Sequence, residues 1–156
     1  MPNLIFIDMN EIEKVIKEMD LQYFGTGQHK MEAEAFLGAE NKVFLDVRAT
    51  EEVKSIKIAL TYHCEVIEIP TDEVPERLSE IPNDKLIGVF CSAGVRATII
   101  FAYLKSKGYQ KVKIITGGYA PLMQAILPGK LYNKLNNSPE GYISLEKEVI
   151  SGKHNN

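Results

Sequence analysis

The segment from Leu86 to Gly108 most constrains the fold of this chain, because a short loop joins an apolar run to a helical pattern. The run Leu86–Phe90 is typical of a buried β-strand, and the residues from Ala97 to Lys107 are predicted to form a helix. Gly108 then provides a helix C-terminus. A strand, a loop and a helix in direct succession are the repeating unit of parallel α/β folds.

The loop of this segment carries the residues that point to chemistry. Unpaired backbone N–H groups and a partial positive charge lie at a helix N-terminus, so a thiolate at Cys91 is stabilised there. Gly94 allows backbone conformations that are closed to other residues, and Arg96 adds a fixed positive charge. The sequence therefore predicts a loop that binds an anion around a nucleophilic sulfur.

Strand and helix patterns alternate along the rest of the chain. The predicted strands are Leu4–Ile7, Lys42–Arg48, Cys64–Ile69, Leu86–Phe90 and Lys111–Ile115. The predicted helices are Glu11–Met19, Met31–Leu37, Glu73–Leu78, Ala97–Lys107 and Tyr119–Ile126, with a short helix or turn at Ala49–Lys54. This alternation implies parallel crossover connections and an open sheet with helices on both faces.

Helix caps and loops complete this outline. The caps and stops are Asp8 or Asn10 before the first helix, Gly38 after the second, and Thr71 or Asp72 before the third. The glycine-containing stretch Asp20–Lys30 is predicted to be a loop, and Ile56–Tyr62 is ambiguous.

The strand and helix pattern weakens after Leu127, so we predict one domain over residues 1–127 and a partly irregular C-terminal extension over residues 128–156. Pro128 and Gly129 are expected to break the preceding helix, and Asn136–Gly141 has the composition of a loop. A short helix at Leu145–Ile150 and disorder over Ser151–Asn156 complete the prediction.

Composition limits the classes of function. The chain has 156 residues, 45% of them hydrophobic, and a formal charge of −3, which gives no electrostatic case for binding nucleic acid. Two cysteines are too few for a disulfide framework and indicate a reducing compartment. No signal peptide or membrane span is evident, so we predict a cytoplasmic protein without a membrane partner, of undetermined oligomeric state.

Other polar residues allow more than one interpretation. Asp46 and Arg48 end a predicted strand, where α/β sheets build their sites, and they either support the site or form a solvated pair. Cys64 is interpreted as a packing residue, since a resolving role requires disulfide reach to Cys91. The histidines lack the spacing of metal ligands, and we predict neither a metal nor a cofactor.

With these motifs in place, the chain resembles the rhodanese-like domain, the sulfurtransferase-type α/β module. The resemblance covers residues 41–122 and rests on four segments in order. These are Phe44–Arg48 with Glu51 and Glu52, then Val66–Pro70, then Cys91–Arg96 with its helix, then Gly108–Tyr109 through Thr116–Gly118. The fold that it implies is a rhodanese-like open parallel sheet of about five strands, flanked by helices on both faces.

The resemblance implies a ping-pong sulfur transfer. Cys91 attacks a sulfane sulfur donor, holds the sulfur as a persulfide and passes it to a thiol or cyanide acceptor. The donors that it implies are small sulfur compounds, thiosulfate or polysulfide, or a protein persulfide. The implied substrate-binding residues follow Cys91 in the loop and are Ser92, Ala93, Gly94, Val95 and Arg96, with Asp46 and Arg48 in support.

Two other functions stay open beside this one. The first is a catalytically silent binding or regulatory module that keeps the fold, although the intact Cys91 favours an enzyme. The second is a phosphatase or arsenate reductase, in which similar loops place five residues between cysteine and arginine. Here four residues separate Cys91 from Arg96, a length that suits a single sulfur atom. The sequence departs from the family pattern at Ile56–Ile58, at Ala97 and at Leu122.

Overall fold

The computed structural model describes residues 9–137, with side chains from residue 11 onward. Its core is a five-stranded sheet in the order β1-β5-β4-β2-β3, in which every pair of neighbours is parallel. The strands are β1 Lys30–Met31, β2 Lys42–Asp46, β3 Glu65–Glu68, β4 Leu86–Phe90 and β5 Val112–Ile115. The predicted α/β class, with a parallel sheet of about five strands flanked by helices, is confirmed.

Strand β4 lies in the middle of the sheet, and its register brings polar groups from two strands together. Asp46 at the end of β2 pairs with Phe90 at the end of β4. The Phe90 carbonyl also accepts a hydrogen bond from the Val47 N–H. The residues that follow these two strands, Arg48 and Cys91, therefore leave the sheet at the same edge, where open α/β sheets build their sites.

Seven α-helices are described between residues 9 and 137. They are α1 Met9–Lys17, α2 Leu21–Gly25, α3 Ala33–Gly38, α4 Thr50–Ser55, α5 Val95–Ser106, α6 Tyr119–Ala125 and α7 Pro128–Asn137. Helix α5 packs against α1, β4 and β5. None of the helices in this range combines the length and apolar character that crossing a membrane requires.

The prediction of a loop from Asp20 to Lys30 was wrong. The Asp20 side chain accepts a hydrogen bond from the Tyr23 N–H at 2.8 Å and caps α2. Lys30 and Met31 then form β1, which pairs with β5 and makes the edge of the sheet. Met31 accordingly belongs to a strand and not to the second predicted helix. The predicted strand Leu4–Ile7 and the cap Asp8 lie outside the described residues. Asn10 lies inside α1, which begins at Met9, so it is not the residue that caps the helix.

The predicted helix at Glu73–Leu78 is replaced by two 3₁₀ turns at Thr71–Glu73 and Leu78–Glu80. Pro75 has no N–H to donate to the Thr71 carbonyl, which accepts a hydrogen bond from Val74 instead. The Thr71 hydroxyl donates to the Val47 carbonyl at 2.8 Å and does not cap a helix.

The segment after Leu127 is more regular than predicted up to the end of the described range. Pro128 begins α7, because a proline at the first helical position loses no hydrogen bond. Asn136 and Asn137 are its last residues and do not form a loop. Contacts divide the chain into a unit that ends at Leu122 and a unit that begins at Met123. The helix and the tail predicted after residue 141 lie outside the described range.

The core of the first unit fixes the strand that leads to Cys91. The apolar side chains of β2 and β4 and the inner face of α5 are buried together. Gly88 lies in the middle of β4, and a Cβ there would lie 2.5 Å from the Phe36 ring and 2.7 Å from Ile115. The Tyr109 hydroxyl donates to the Ile81 carbonyl at 2.8 Å and links the turn after α5 to the 3₁₀ segment.

Candidate active site

The loop from Cys91 to Arg96 curls so that backbone N–H groups converge on the cysteine sulfur. The Gly94 N–H donates to Cys91 Sγ at 3.1 Å, and the Ala97 N–H donates to it at 3.3 Å. Gly94 precedes α5 with φ of 89°, a left-handed conformation that favours glycine. Cys91 is 1% exposed, so its sulfur lies at the bottom of the loop. Donors at this position stabilise negative charge on the sulfur.

Arg96 lies in the first turn of α5 and binds Glu52 of α4. Its Nη1 is 2.5 Å from Glu52 Oε2, and its Nη2 is 2.9 Å from Glu52 Oε1. The same Nη2 donates to Ser92 Oγ at 3.0 Å. The guanidinium therefore spans the loop from within and ties it to the helix that follows β2.

Glu52 was named only within a segment that matches the family and not among the predicted site residues, yet the structure places its carboxylate against Arg96. Glu52 also accepts a hydrogen bond from the Ala49 N–H at 2.9 Å. The Arg96 hydrogen bond, and after it the Ala49 N–H, lower the pKa of Glu52 to about 2. In return, the hydrogen bond to Glu52 raises the pKa of Arg96. The sequence signals for Glu52 were its place in the segment that matches the family and its position three residues after Ala49.

Asp46 and Arg48 form an ion pair whose side chains are both completely buried. Arg48 Nη2 is 2.6 Å from Asp46 Oδ2, and Arg48 Nε is 2.8 Å from Oδ1. The remaining Arg48 donors reach the Tyr119 hydroxyl and the Ile56 carbonyl, each at 3.0 Å. The hydrogen bond to Asp46 raises the pKa of Arg48. The alternative of a solvated pair is wrong, and Tyr119 joins the network from a helix that the sequence did not connect to it.

The turn before α6 packs directly under the loop. A Cβ at Gly118, which has φ of +64°, would lie 2.1 Å from the Ser92 carbonyl oxygen. Only a residue without a side chain allows the two backbones to approach this closely. The Thr116–Gly118 turn and the Cys91–Arg96 loop therefore fit against each other.

Cys64 lies where the strands of the sheet begin, whereas Cys91 lies where they end. Glu65 pairs with Val43, which pairs with Ile87, so Cys64 precedes β3 at the level of Leu86. The strand spacings place it about 19 Å from Cys91, whereas disulfides span Cα distances of about 4.4–6.8 Å. Neither cysteine forms a disulfide. Within residues 9–137, no three His, Cys, Asp or Glu side chains lie together as metal ligands would.

A cavity of about 300 Å³ lies beside α4, and its lining does not include the Cys91 loop. Its lining residues are Arg48, Thr50, Val53, Lys54, Lys57, Glu68, Pro70, Glu73 and Arg77. Helix α4 thus contributes Glu52 to the loop and other side chains to the cavity.

Comparison with known proteins bears on this geometry. The family model of the rhodanese-like domain matches residues 30–125. A protein named sulfurtransferase from Allochromatium vinosum is 30% identical over 79 residues, which are 51% of this chain and 69% of that protein. A tRNA sulfurtransferase from Psychromonas ingrahamii is 26% identical over 113 residues, which are 69% of this chain and 23% of that protein.

Among solved structures, a rhodanese-related protein from Thermoplasma volcanium shares 24% identity and a TM-score of 0.53 over 64% of this chain and 95% of that chain. This likeness supports the fold alone. The chain matches less than a quarter of the length of the tRNA sulfurtransferase. The family model, in contrast, matches more than half of the chain and includes β1 to β5 and the Cys91 loop. The predicted resemblance is confirmed, and the chain belongs to the rhodanese-like domain family.

Proposed function

We propose that this chain is a sulfurtransferase that moves a sulfane sulfur from a donor to a thiophilic acceptor through a persulfide on Cys91. The observation that carries the proposal is the position of Cys91 Sγ, which accepts hydrogen bonds from the Gly94 and Ala97 N–H groups. Relatives named as sulfurtransferases support the same class of enzyme at the level of the family.

Each half-reaction is a displacement at sulfur. The Cys91 thiolate attacks the outer sulfur of the donor, a new S–S bond forms, and the donor S–S bond breaks. The electron pair of that bond leaves with sulfite when the donor is thiosulfate, or with a thiolate when the donor is a persulfide. A thiolate or cyanide acceptor then attacks the outer sulfur of the Cys91 persulfide, and the Cys91 thiolate leaves with the electron pair.

The loop residues serve this chemistry mainly through their backbone. An anionic outer sulfur needs several converging donors, and the N–H groups of Ser92 through Arg96 are the available source. Arg96 holds the loop in shape through Glu52 and Ser92. Asp46 and Arg48 support the site from beneath, since the buried pair connects the end of β2 to Tyr119.

Two observations favour sulfur over phosphate as the transferred group. Four residues separate Cys91 from Arg96, and the Cys91 side chain is 1% exposed. A narrow, nearly closed loop suits a single sulfur atom, whereas a phosphate presents three further oxygens to the loop. The silent binding module is the second candidate, and the presence of Cys91 with its N–H donors favours the enzyme over it.

The partners are proposed at the level of chemistry. They are a sulfane sulfur donor, which is thiosulfate, a polysulfide or a protein persulfide, and a thiol or cyanide acceptor. The small number of cysteines fits a reducing compartment, so a cytoplasmic location stays a prediction.

Intact mass spectrometry tests the proposal. After incubation with polysulfide, the protein is expected to gain one sulfur atom on Cys91, and an added thiol is expected to remove it. The variant Cys91→Ser is expected to gain none. Cys64→Ser is the matched control, because Cys64 lies at the other edge of the sheet, and it is expected to load like the wild type. Equal loss of loading in both variants would rule out a single nucleophile at Cys91.

A further inference from the structure

The Arg96 guanidinium already has hydrogen-bonding partners within the protein. Both terminal nitrogens of its guanidinium donate to the two oxygens of Glu52, and Nη2 also donates to Ser92 Oγ. The side chains of Arg96 and Glu52 are each 33% exposed, so the pair is partly shielded from water. A bidentate carboxylate occupies the face of the guanidinium that binds oxyanions best.

The ion pair leaves the loop with no uncompensated side-chain cation. Because the pKa of Glu52 is lowered to about 2, its carboxylate is ionised at neutral pH and cancels the charge of Arg96. Arg96 is the only charged residue in the sequence from Cys91 to Ile100. The backbone N–H groups and the helix N-terminus supply positive potential at the sulfur, and Arg96, which interacts with Cys91 more weakly than with Glu52, adds a contribution that Glu52 offsets.

This arrangement discriminates between donors by their charge. Attack of a thiolate on thiosulfate brings one negative charge against two, and the repulsion is offset only where a free cation faces the donor. A thiol-bound persulfide carries one negative charge when its outer sulfur is ionised and none when it is protonated, so the same attack meets less repulsion. The leaving group is sulfite in the first case and a thiolate in the second.

The exposed side chains on the outer surface of the loop also favour a thiol-bound donor over thiosulfate. Ala93 is exposed, Val95 is 69% exposed, and Ile99, one helical turn further, is 56% exposed. A strongly hydrated dianion gains nothing from these apolar side chains, whereas the carbon chain of a thiol can pack on them.

We propose that Glu52, by neutralising Arg96, makes this chain prefer a thiol-bound persulfide, which carries at most one negative charge, over the thiosulfate dianion as its sulfur donor. The inference rests on the proposed persulfide chemistry of Cys91 and adds the donor class to it. Glu52 acts through Arg96 and is a specificity-determining residue that does not touch the reacting sulfur.

The test compares two donors, thiosulfate and 2-hydroxyethyl persulfide, by the kcat/KM of Cys91 loading in the full chain. The wild type is expected to favour the persulfide. Glu52→Gln keeps a side chain of the same shape but releases the charge of Arg96. The ratio of kcat/KM for thiosulfate to that for the persulfide is expected to rise by about tenfold, the effect of one contact to a charged group.

Glu51→Gln is the matched control, because it removes the same charge from the neighbouring, exposed position of α4. Its donor ratio is expected to stay within twofold of the wild type. An equal rise in both variants would overturn the proposal, because it would show a general effect of net charge.

A second variant covers the case in which Glu52→Gln loosens α4, since Glu52 also binds the Ala49 N–H. Val95→Lys adds an exposed cation at the rim and leaves the Glu52–Arg96 pair intact. It is expected to raise the thiosulfate ratio several-fold, and Ile99→Lys, one turn further from the loop, is expected to raise it less.

The outcomes separate the two proposals. Loading with an unchanged donor ratio in Glu52→Gln and Val95→Lys overturns the donor preference and leaves the persulfide on Cys91 standing. A wild type that prefers thiosulfate also overturns the preference. Absence of loading from either donor overturns the proposed function, and the donor preference with it.

Discussion

The Glu52 carboxylate holds the Arg96 guanidinium through both of its oxygens, at 2.5 and 2.9 Å, across 44 residues of sequence. The contact joins the helix after β2 to the loop after β4. It is the one ion pair described between the segment from Cys91 to Ser106 and the rest of residues 9–137. Variants of Glu52 therefore measure how much this ion pair contributes to the free energy of unfolding.

This ion pair predicts a specific dependence of stability on pH. The pKa of Glu52 is about 2 in the folded chain, below its ordinary value of 4.5. A lowered pKa means that the stabilisation is complete above about pH 4.5 and is lost as the pH falls toward 2. The difference in free energy of unfolding between wild type and Glu52→Gln is expected to be constant above pH 5 and to shrink below pH 4.5. Urea unfolding measured from pH 6 to pH 3 checks it.

The control for this pH dependence is Glu51→Gln, whose side chain makes none of the described contacts of Glu52. The difference in free energy of unfolding between Glu51→Gln and the wild type is expected to stay small at every pH. A gap between wild type and Glu52→Gln that does not change with pH would contradict the interpretation of the ion pair.

Because Asp46 and Arg48 form a buried ion pair, we predict that a variant that lacks only Arg48 is less stable than a variant that lacks both residues. Arg48→Met leaves the Asp46 charge buried without a partner, and we expect a loss of about 3–5 kcal/mol in the free energy of unfolding. Replacing both, as Asp46→Leu with Arg48→Met, removes the stranded charge and is expected to recover part of that loss. Denaturant unfolding of the two variants measures the difference.

Arg77 offers a matched arginine in a different environment. Its pairs with Glu73 and Glu80 are exposed to solvent, so Arg77→Met is expected to cost much less free energy of unfolding than Arg48→Met. If Arg48→Met loses as little free energy of unfolding as Arg77→Met, the burial of the Asp46–Arg48 pair does not affect stability.

The close approach of Gly118 to Ser92 predicts a functional effect from one methyl group. In Gly118→Ala the new Cβ would lie 2.1 Å from the Ser92 carbonyl oxygen, so the Cys91 loop must shift. We expect the rate of sulfur loading on Cys91 to fall by about tenfold or more, the size of effect that follows from misplacing donors at a reacting atom. Single-turnover mass spectrometry measures the rate.

Gly25→Ala is the control for this variant, because nothing lies within 4 Å of a Cβ at Gly25. Its loading rate is expected to match the wild type. Normal loading in Gly118→Ala would show that the loop tolerates the displacement.

The Tyr109 hydroxyl predicts a loss of stability without a direct effect on the loop. Tyr109→Phe leaves the carbonyl of the buried Ile81 without this donor, and the expected loss in the free energy of unfolding is about 1–3 kcal/mol. Tyr62→Phe, at a half-exposed tyrosine, is expected to cost less than about 0.5 kcal/mol. Thermal or urea unfolding distinguishes the two, and equal losses would contradict the assigned role of the Ile81 hydrogen bond.

The parts of the fold that local sequence determines were predictable. Strands β2 and β4 are continuous apolar runs, because both of their faces are buried, and such runs stand out within a few residues. The position of Cys91 before a helix N-terminus follows from the same local pattern. The strand β1 was not predictable, since its two residues carry no periodicity and pair only after β5 has formed.

The contacts that complete the site depend on the tertiary arrangement. Glu52 reaches Arg96 only because β2 and β4 are neighbours, and Tyr119 reaches Arg48 across 71 residues of sequence. Nothing in the pattern around Glu51 and Glu52 distinguishes the carboxylate that faces the loop from the one that faces solvent. Sequence therefore predicted the position of Cys91 and its loop before α5, but not the groups that hold the loop.

The central position of β4 has a consequence for how this protein unfolds. Its amide hydrogens are enclosed between β5 and β2, so exchange of Ile87 through Phe90 with deuterium requires the sheet itself to separate. The short edge strand β1 can exchange by local fraying. The peptide that leads to Cys91 should thus be among the last to take up label, and a partly frayed molecule should keep Cys91 in position until the whole domain unfolds.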